Sequence, residues 1–193
     1  MQGINMLETT IRTRRSIKPE MYNDQTVDDA IVQAMLDSAQ WAPTHARTEP
    51  WRFVVFAGKG IQEFAHFQAA LYKRITPEDQ FNALKYEKMI STPLKASHVV
   101  LIGMKRQETE KLPHWEEVAA VSCAVQNILL TAHAYGIGAY WSTGGMTAHP
   151  EMRTFLGLGE KDQCMGMLYI GNYSAHAPEG KRTGMEDKVR WVR

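Results

Sequence analysis

Cysteine is scarce in this chain: Cys123 and Cys164 are the only two in 193 residues. Neither belongs to a CxxC, and Cys123 sits inside an apolar helical pattern. Two buried thiols are therefore expected rather than a disulfide, a redox pair or a metal site. An excess of charge is lacking as well. The 22 Lys and Arg stand against 21 Asp and Glu, a formal net charge of +1, so no global field gathers nucleic acid or coats an anionic membrane. Any basic site must be local. No apolar run approaches the length that spans a bilayer, and Met1 to Glu8 lacks the uninterrupted apolar core of a signal peptide, so neither membrane nor export is expected and the cytoplasm is the anticipated location. The seven histidines show no metal-ligand spacing such as HExxH, and no GxSxG elbow offers a serine nucleophile. Repeats, low-complexity tracts and linkers are absent too, and a single domain over 1–193 is expected.

What is present reads as helices alternating with short strands. Asp24 to Ala39 begins with capping chemistry and carries Val27, Ala30, Ile31, Ala34 and Met35 at helical spacing. Trp51 to Ala57 predicts a strand ended by Gly58-Lys59-Gly60, then a helix from about Ile61 to Lys73 and a polar segment from Asp79 to Ile90, compatible with a mobile helix, whose charges make it a solvated cover. Ser97 to Met104 predicts a largely buried strand. The clearest helix is Glu116 to Tyr135, whose Val118, Val121, Val125, Ile128, Leu129 and Ala132 form one stripe, with Gly136 as its stop. Ala139 to Ser142 is a third strand. Thr147-Ala148-His149-Pro150-Glu151 has the cap, early proline and acidic first turn of a helix start, and Met165 to Gly171 is a fourth strand. From about residue 172 the chain is polar, basic and rich in Pro and Gly, too poor in apolar residues to fold on itself. Trp41, Trp51 and Trp141 are assigned to packing at a core or subunit boundary, and His133 to a polar or interface position.

Two features suggest a ligand. Gly136-Ile137-Gly138-Ala139-Tyr140-Trp141-Ser142-Thr143-Gly144-Gly145 places four glycines and two hydroxyls directly after the long helix, where backbone N–H groups can turn toward an acceptor-rich partner. Arg12-Thr13-Arg14-Arg15-Ser16-Ile17-Lys18 concentrates four cations and two hydroxyls in seven residues, a composition suited to a phosphate monoester, and Lys181-Arg182-Thr183 adds a second small cluster. Taken singly, the glycines read as a helix cap and turn, and the basic runs as solvated surface.

These clusters, together with Trp41-Ala42-Pro43-Thr44-His45-Ala46-Arg47-Thr48-Glu49-Pro50-Trp51-Arg52-Phe53 and the glycine loop, fall in an order that resembles the FMN-dependent nitroreductase family, especially its short, compact branch. The resemblance runs from Arg14 into the tail. It implies an α+β fold of three layers, α/β/α, with a mainly antiparallel central sheet flanked by helices, in an intertwined homodimer whose tails pack on the partner subunit. It also implies that Arg14, Arg15 and Ser16 hold the FMN phosphate and ribityl chain, with Lys18 near the pyrimidine edge and Arg182 closing the phosphate pocket. Thr44, His45 and Arg47 would reach the flavin from the other subunit, and Ser142, Thr143, Gly144 and Gly145 would set backbone beside the ring near N5.

The chain departs from many relatives where Arg47 replaces Asn and Glu49 replaces Gln; Arg47 offers a further phosphate contact, and Glu49 a partner for Arg47 or Arg52. The implied activity is ping-pong: NADH or NADPH donates a hydride to the flavin, departs, and is replaced by a small-molecule electron acceptor such as a nitroaromatic or quinone. The flavin carries the chemistry, so no side chain is assigned as catalytic acid or base. Gly136-Ile137-Gly138 lacks the third glycine of GxGxxG, which agrees with a transient nicotinamide visit. The pocket walls that select the acceptor come largely from Phe67 to Ile90. Three alternatives stay open: a flavin-dependent dehydrogenase or desaturase of one metabolite, a non-catalytic flavin-binding module, and a nucleotide- or anion-binding protein.

Overall fold

Alternation along one strand organises the molecule. In β2 (His98–Met104) every residue is buried, with Val99 and Leu101 entering one hydrophobic cluster and Val100 and Ile102 the other. The side-chain period of two therefore sends apolar groups to both faces of a central strand. The computed structural model describes residues 2–174 and 176–193. β1 (Trp51–Ala57), β2, β4 (Gln163–Gly171) and β3 (Gly138–Ser142) form a sheet in the order β1-β2-β4-β3, antiparallel at every pairing.

Helices cover both faces. α2 (Asp29–Ala39) and α5 (His114–Ala134) pack on Val100, Ile102, Leu168 and Ile170 through Val32, Met35, Val121, Val125 and Ile128. On the opposite face, α3 (Lys59–Ile75), α4 (Ala83–Ser91) and α6 (Pro150–Phe155) bring Phe64, Leu71, Met89 and Met152 against Val99, Leu101 and Met167. This is the expected three-layer α+β arrangement. Among the described residues no helix is long and apolar enough to cross a membrane.

Local chemistry sets the element ends. Gly136 has φ +71°, and the N–H groups of Ile137 and Gly136 donate to the carbonyls of Ala132 at 2.9 Å and His133 at 3.0 Å. That pair of bonds satisfies two free carbonyls at the end of α5 and turns the chain into β3. α6 starts with Pro150, and His149 accepts from the Glu151 N–H at 3.2 Å.

Several expectations change. The second helix starts at Asp29 rather than Asp24, because the Asp28 carboxylate takes the Ala30 N–H at 2.8 Å and Val27 N–H is held by Ser97 Oγ at 2.8 Å in extended chain. α1 (Gln2–Thr13) was not predicted at all, and its Ile4, Leu7 and Ile11 are exposed. Cys164 is buried, but Cys123 is exposed, because it lies on the face of α5 turned away from the sheet. Burial pushes the Cys164 thiol pKa up. Trp51 is in the core, whereas Trp41 stands 87% exposed.

The segment that follows α1 is tied to the far edge of the sheet. Ile17 N–H donates to the Ala139 carbonyl of β3 at 3.1 Å. The ring of Tyr22 packs where Gly138 and Gly171 have no side chain, and its hydroxyl lies 2.9 Å from the Ile17 carbonyl and 2.8 Å from that of Tyr169. Burial among these groups raises the Tyr22 pKa.

Candidate functional site

Three guanidinium groups gather beside the C-terminal end of α5. Arg15 and Arg182 line one cavity, and burial, then the charges of these two neighbours, lower the pKa of Arg14. None of them forms an ion pair among the described residues. Arg15 is fixed by three carbonyls: Nη1 donates to Arg12 at 2.6 Å and Arg14 at 2.8 Å, and Nε donates to Pro178 of the tail at 3.1 Å. The tail lies so close that a β-carbon on Gly180 would overlap the Arg15 guanidinium. A cavity of about 350 Å³ opens between Ile11, Arg12, Arg15, Gly180 and Arg182. His133 is 2.8 Å from Thr13 Oγ1, and its pKa is lowered by burial and then by Arg14 and Arg15. Uncompensated positive charge of this kind suits a phosphate dianion. Ser16 and Lys18 follow on the exposed side of the same segment.

The glycine loop begins where β3 ends. Thr147, 5% exposed, donates its hydroxyl to the carbonyls of Thr143 at 2.8 Å and Gly144 at 3.2 Å. The N–H groups of Thr143, Gly144 and Gly145 donate to no acceptor among the described residues. A loop with occupied carbonyls and free donors is prepared for an acceptor-rich ligand. Ser142, Gly144 and Gly145 line a cleft of about 420 Å³ with Tyr140, Tyr169, Met167, Gln68 of α3, Asn82, Lys85 and other residues of α4. Thr143 faces away, into a separate cavity beside Trp141 and Arg153.

Gln68 and Lys85 fall within the stretch expected to wall the pocket, but they carried no assignment of their own. Gln68 is 2% exposed; its Nε2 donates to the Met89 carbonyl at 2.6 Å, and its Oε1 lies 3.3 Å from where a Gly145 β-carbon would sit. Lys85 Nζ sits 4.8 Å above the Tyr72 ring. Asn82 caps α4 by accepting from Lys85 N–H at 3.0 Å. A polar residue inside the apolar pattern of α3 was the available signal for Gln68.

Thr44, His45 and Arg47 form a third group, distant from the first in the same chain. His45 Nδ1 donates to Glu116 Oε2 at 2.6 Å, in the first turn of α5, while the arginine cluster adjoins His133 near its last turn. At about 1.5 Å of rise per residue, Glu116 and His133 are about 25 Å apart. One chain does not bring these groups together. Ala46, Arg47 and Glu49 all have positive φ, 50°, 55° and 42°, a concentration of left-handed backbone that marks a constrained loop. The expected Glu49 ion pairs are not formed: Arg52 donates instead to the carbonyls of Glu49 at 2.9 Å and Trp51 at 2.7 Å, because the turn points the guanidinium back along the chain.

Comparison with known proteins identifies the family. The sequence pattern of the nitroreductase family matches residues 11–172. The Bacillus subtilis protein YfhC, provisionally named an NAD(P)H nitroreductase, is 30% identical over 95% of this chain and 93% of its own length. A nitroreductase-like family protein from Bacillus cereus superposes with a TM-score of 0.82 at 26% identity, covering 96% of this chain and 95% of that one. The FMN-dependent nitroreductase NfnB from Mycobacterium smegmatis, solved in complex with NADPH, shares the fold, with a TM-score of 0.71 at 17% identity over 98% of this chain and 99% of that one.

Proposed function

This chain belongs to the nitroreductase family, and from that premise we propose that it is a homodimeric FMN-dependent oxidoreductase, taking a hydride from NADH or NADPH and passing electrons to a small nitroaromatic or quinone-like acceptor. The observation that carries the reading is the pairing of two features at opposite ends of β3. Among the described residues, three arginines without a carboxylate partner belong to the segments tied to its start through Ile17 and the tail, and loop N–H groups without an acceptor follow its end. Ala139 to Ser142 spans about 10 Å at about 3.3 Å per residue, so the anchor of the arginine segment and the loop donors lie at the two ends of one short strand.

The residues present fit FMN. Arg14, Arg15, Ser16 and Arg182 would hold its phosphate; Lys18 and Lys85 would offset negative charge on the reduced ring, with Gln68, Ser142, Gly144 and Gly145 as its immediate surroundings. Bound flavin supplies the two-electron chemistry. The protein would orient it with donors from Gly144 and Gly145 and would leave the cleft open to nicotinamide and acceptor in turn. Thr44, His45 and Arg47, about 25 Å from the arginine cluster of their own chain, would complete the site of the partner subunit. The tail beyond Pro178, with Met185, Val189, Trp191 and Val192 exposed, would pack on that partner within one domain per chain.

Purified protein should be yellow and release FMN, not FAD, on heating. Sedimentation should give a dimer at micromolar concentration. Double-reciprocal plots of NADPH oxidation at several quinone concentrations should be parallel. Intersecting lines, or a flavin that neither nicotinamide reduces, would overturn the reading in favour of a dehydrogenase of one specific metabolite.

A further inference from the structure

Among the described residues, none that line the cleft beside the glycine loop carries a carboxylate. Its lining carries two ammonium groups, Lys85 and Lys88, with side-chain amides from Gln68 and Asn82 and a hydroxyl from Thr92. Its aromatic side is the pair Tyr140 and Tyr169, nearly parallel at 12° with ring centroids 6.4 Å apart. Like charges at i and i+3 on one helix face repel, and no acid answers them in the cleft. Lys85 is engaged over Tyr72. Lys88 has no carboxylate, hydrogen-bond acceptor or aromatic partner among the described residues.

We propose that this cleft selects an anionic aromatic electron acceptor, a quinone or nitroarene bearing a carboxylate or sulfonate, and that Lys88 is the cation that selects it. The inference rests on the oxidoreductase reading above and gives it a substrate class. Reduction keeps its ordinary balance: a quinone takes two electrons and two protons and becomes a hydroquinone, a nitroarene takes two electrons and two protons and becomes a nitrosoarene and water, and in both the anionic substituent stays unchanged. Lys88 touches only that substituent, so it governs specificity and not the electron transfer. Apolar Leu84 and Met89, on the same helix as Lys88, would accept the acceptor ring, while the tyrosines, Met167 and the glycine loop adjoin the flavin; the Lys88 ammonium, a point charge, accepts a carboxylate or sulfonate without demanding a fixed geometry.

The test compares paired acceptors on the purified holoprotein: 4-nitrobenzoate against nitrobenzene, and 1,2-naphthoquinone-4-sulfonate against 1,2-naphthoquinone. The ratio of kcat/KM, anionic over neutral, should exceed one at low salt and fall about threefold to tenfold in Lys88→Gln, the range for a partly screened charge contact. Lys95→Gln, outside the cleft, should leave the ratio alone. Calorimetry should show 4-nitrobenzoate binding to the oxidised holoprotein, weakened by the same factor in Lys88→Gln and by about 0.5 M salt. A wild-type preference for the neutral acceptors, or a ratio that Lys88→Gln does not move, overturns the proposal. So does a loss confined to the NADPH half-reaction, because the recognised anion would then be the dinucleotide phosphate. If neither member of a pair is turned over, the oxidoreductase reading fails, and calorimetry decides the anion site alone: Lys88-dependent binding of 4-nitrobenzoate upholds it, and no binding overturns it.

Discussion

The ring of Tyr22 occupies the space that a side chain on Gly171 would need; a β-carbon there would lie 2.5 Å from the ring. This contact joins the end of β4 to the segment that presents Arg14, Arg15 and Lys18, so the placement of the proposed phosphate site depends on a glycine in a strand and an aromatic residue 149 positions earlier. The hydroxyl between the carbonyls of Ile17 and Tyr169 adds a polar tie at the same point.

Gly171→Ala should therefore destabilise the fold by about 1–3 kcal/mol, the usual cost of overpacking, and weaken flavin retention. Tyr22→Phe keeps the ring and loses the hydroxyl, for about 1 kcal/mol. Urea unfolding of both variants checks the order; equal stability of Gly171→Ala and wild type would show that the ring moves aside freely.

Arg14→Ala should weaken FMN binding by about 1.5–3 kcal/mol, the worth of a charge-assisted phosphate contact, without loosening the tail. Arg15→Ala should do both, since Arg15 also holds the Pro178 carbonyl. Quenching of FMN fluorescence on titration measures the first effect, and limited proteolysis near Pro178 the second.

His133 supplies a pH dependence whose sign is fixed by its neighbours. Burial, Arg14 and Arg15 hold its folded pKa below the ordinary 6.5. As pH falls, the unfolded chain takes up the proton first, so this contribution to stability is present above about pH 6.5 and is lost as pH drops from there through the lower folded value. Binding of a phosphate dianion offsets the two arginine charges and should raise the His133 pKa. Histidine ring resonances titrated with and without FMN report both shifts; a downward shift on binding would place the phosphate elsewhere.

Glu117 is 1% exposed, pairs with Arg106 and accepts the Gln107 N–H at 3.0 Å through Oε1. Glu117→Ala leaves a guanidinium largely buried without its partner and should cost about 3–5 kcal/mol in denaturant unfolding. Replacing both partners, Arg106→Met with Glu117→Leu, should recover most of that loss. Failure to recover would assign the cost to the Gln107 contact.

Much of the local structure was legible because it is written in short-range spacing. Val99 to Ile102 is continuous in apolar residues, as a strand buried on both faces must be. Gly136 marked the end of α5, where positive φ was needed, and Pro150 marked the start of α6. The stripe Ile4, Leu7 and Ile11 carried the helical period of α1 too, but short helices are weakly encoded and this one turns its stripe to solvent within a single chain.

By itself, then, the sequence determined the four strands, the helices from α2 onward, the stop of α5 at Gly136 and the start of α6 at Pro150, and through its ordered motifs the family, because these depend on periods of two and 3.6 and on backbone preferences at single glycines and prolines. Only the tertiary structure decided the strand order β1-β2-β4-β3, the exposure of Cys123, the meeting of Gln68 and Lys85 with the glycine loop, and the separation of His45 from Arg14 along α5. Those relations join residues far apart in the chain, and packing of whole faces selects them, which no local spacing records.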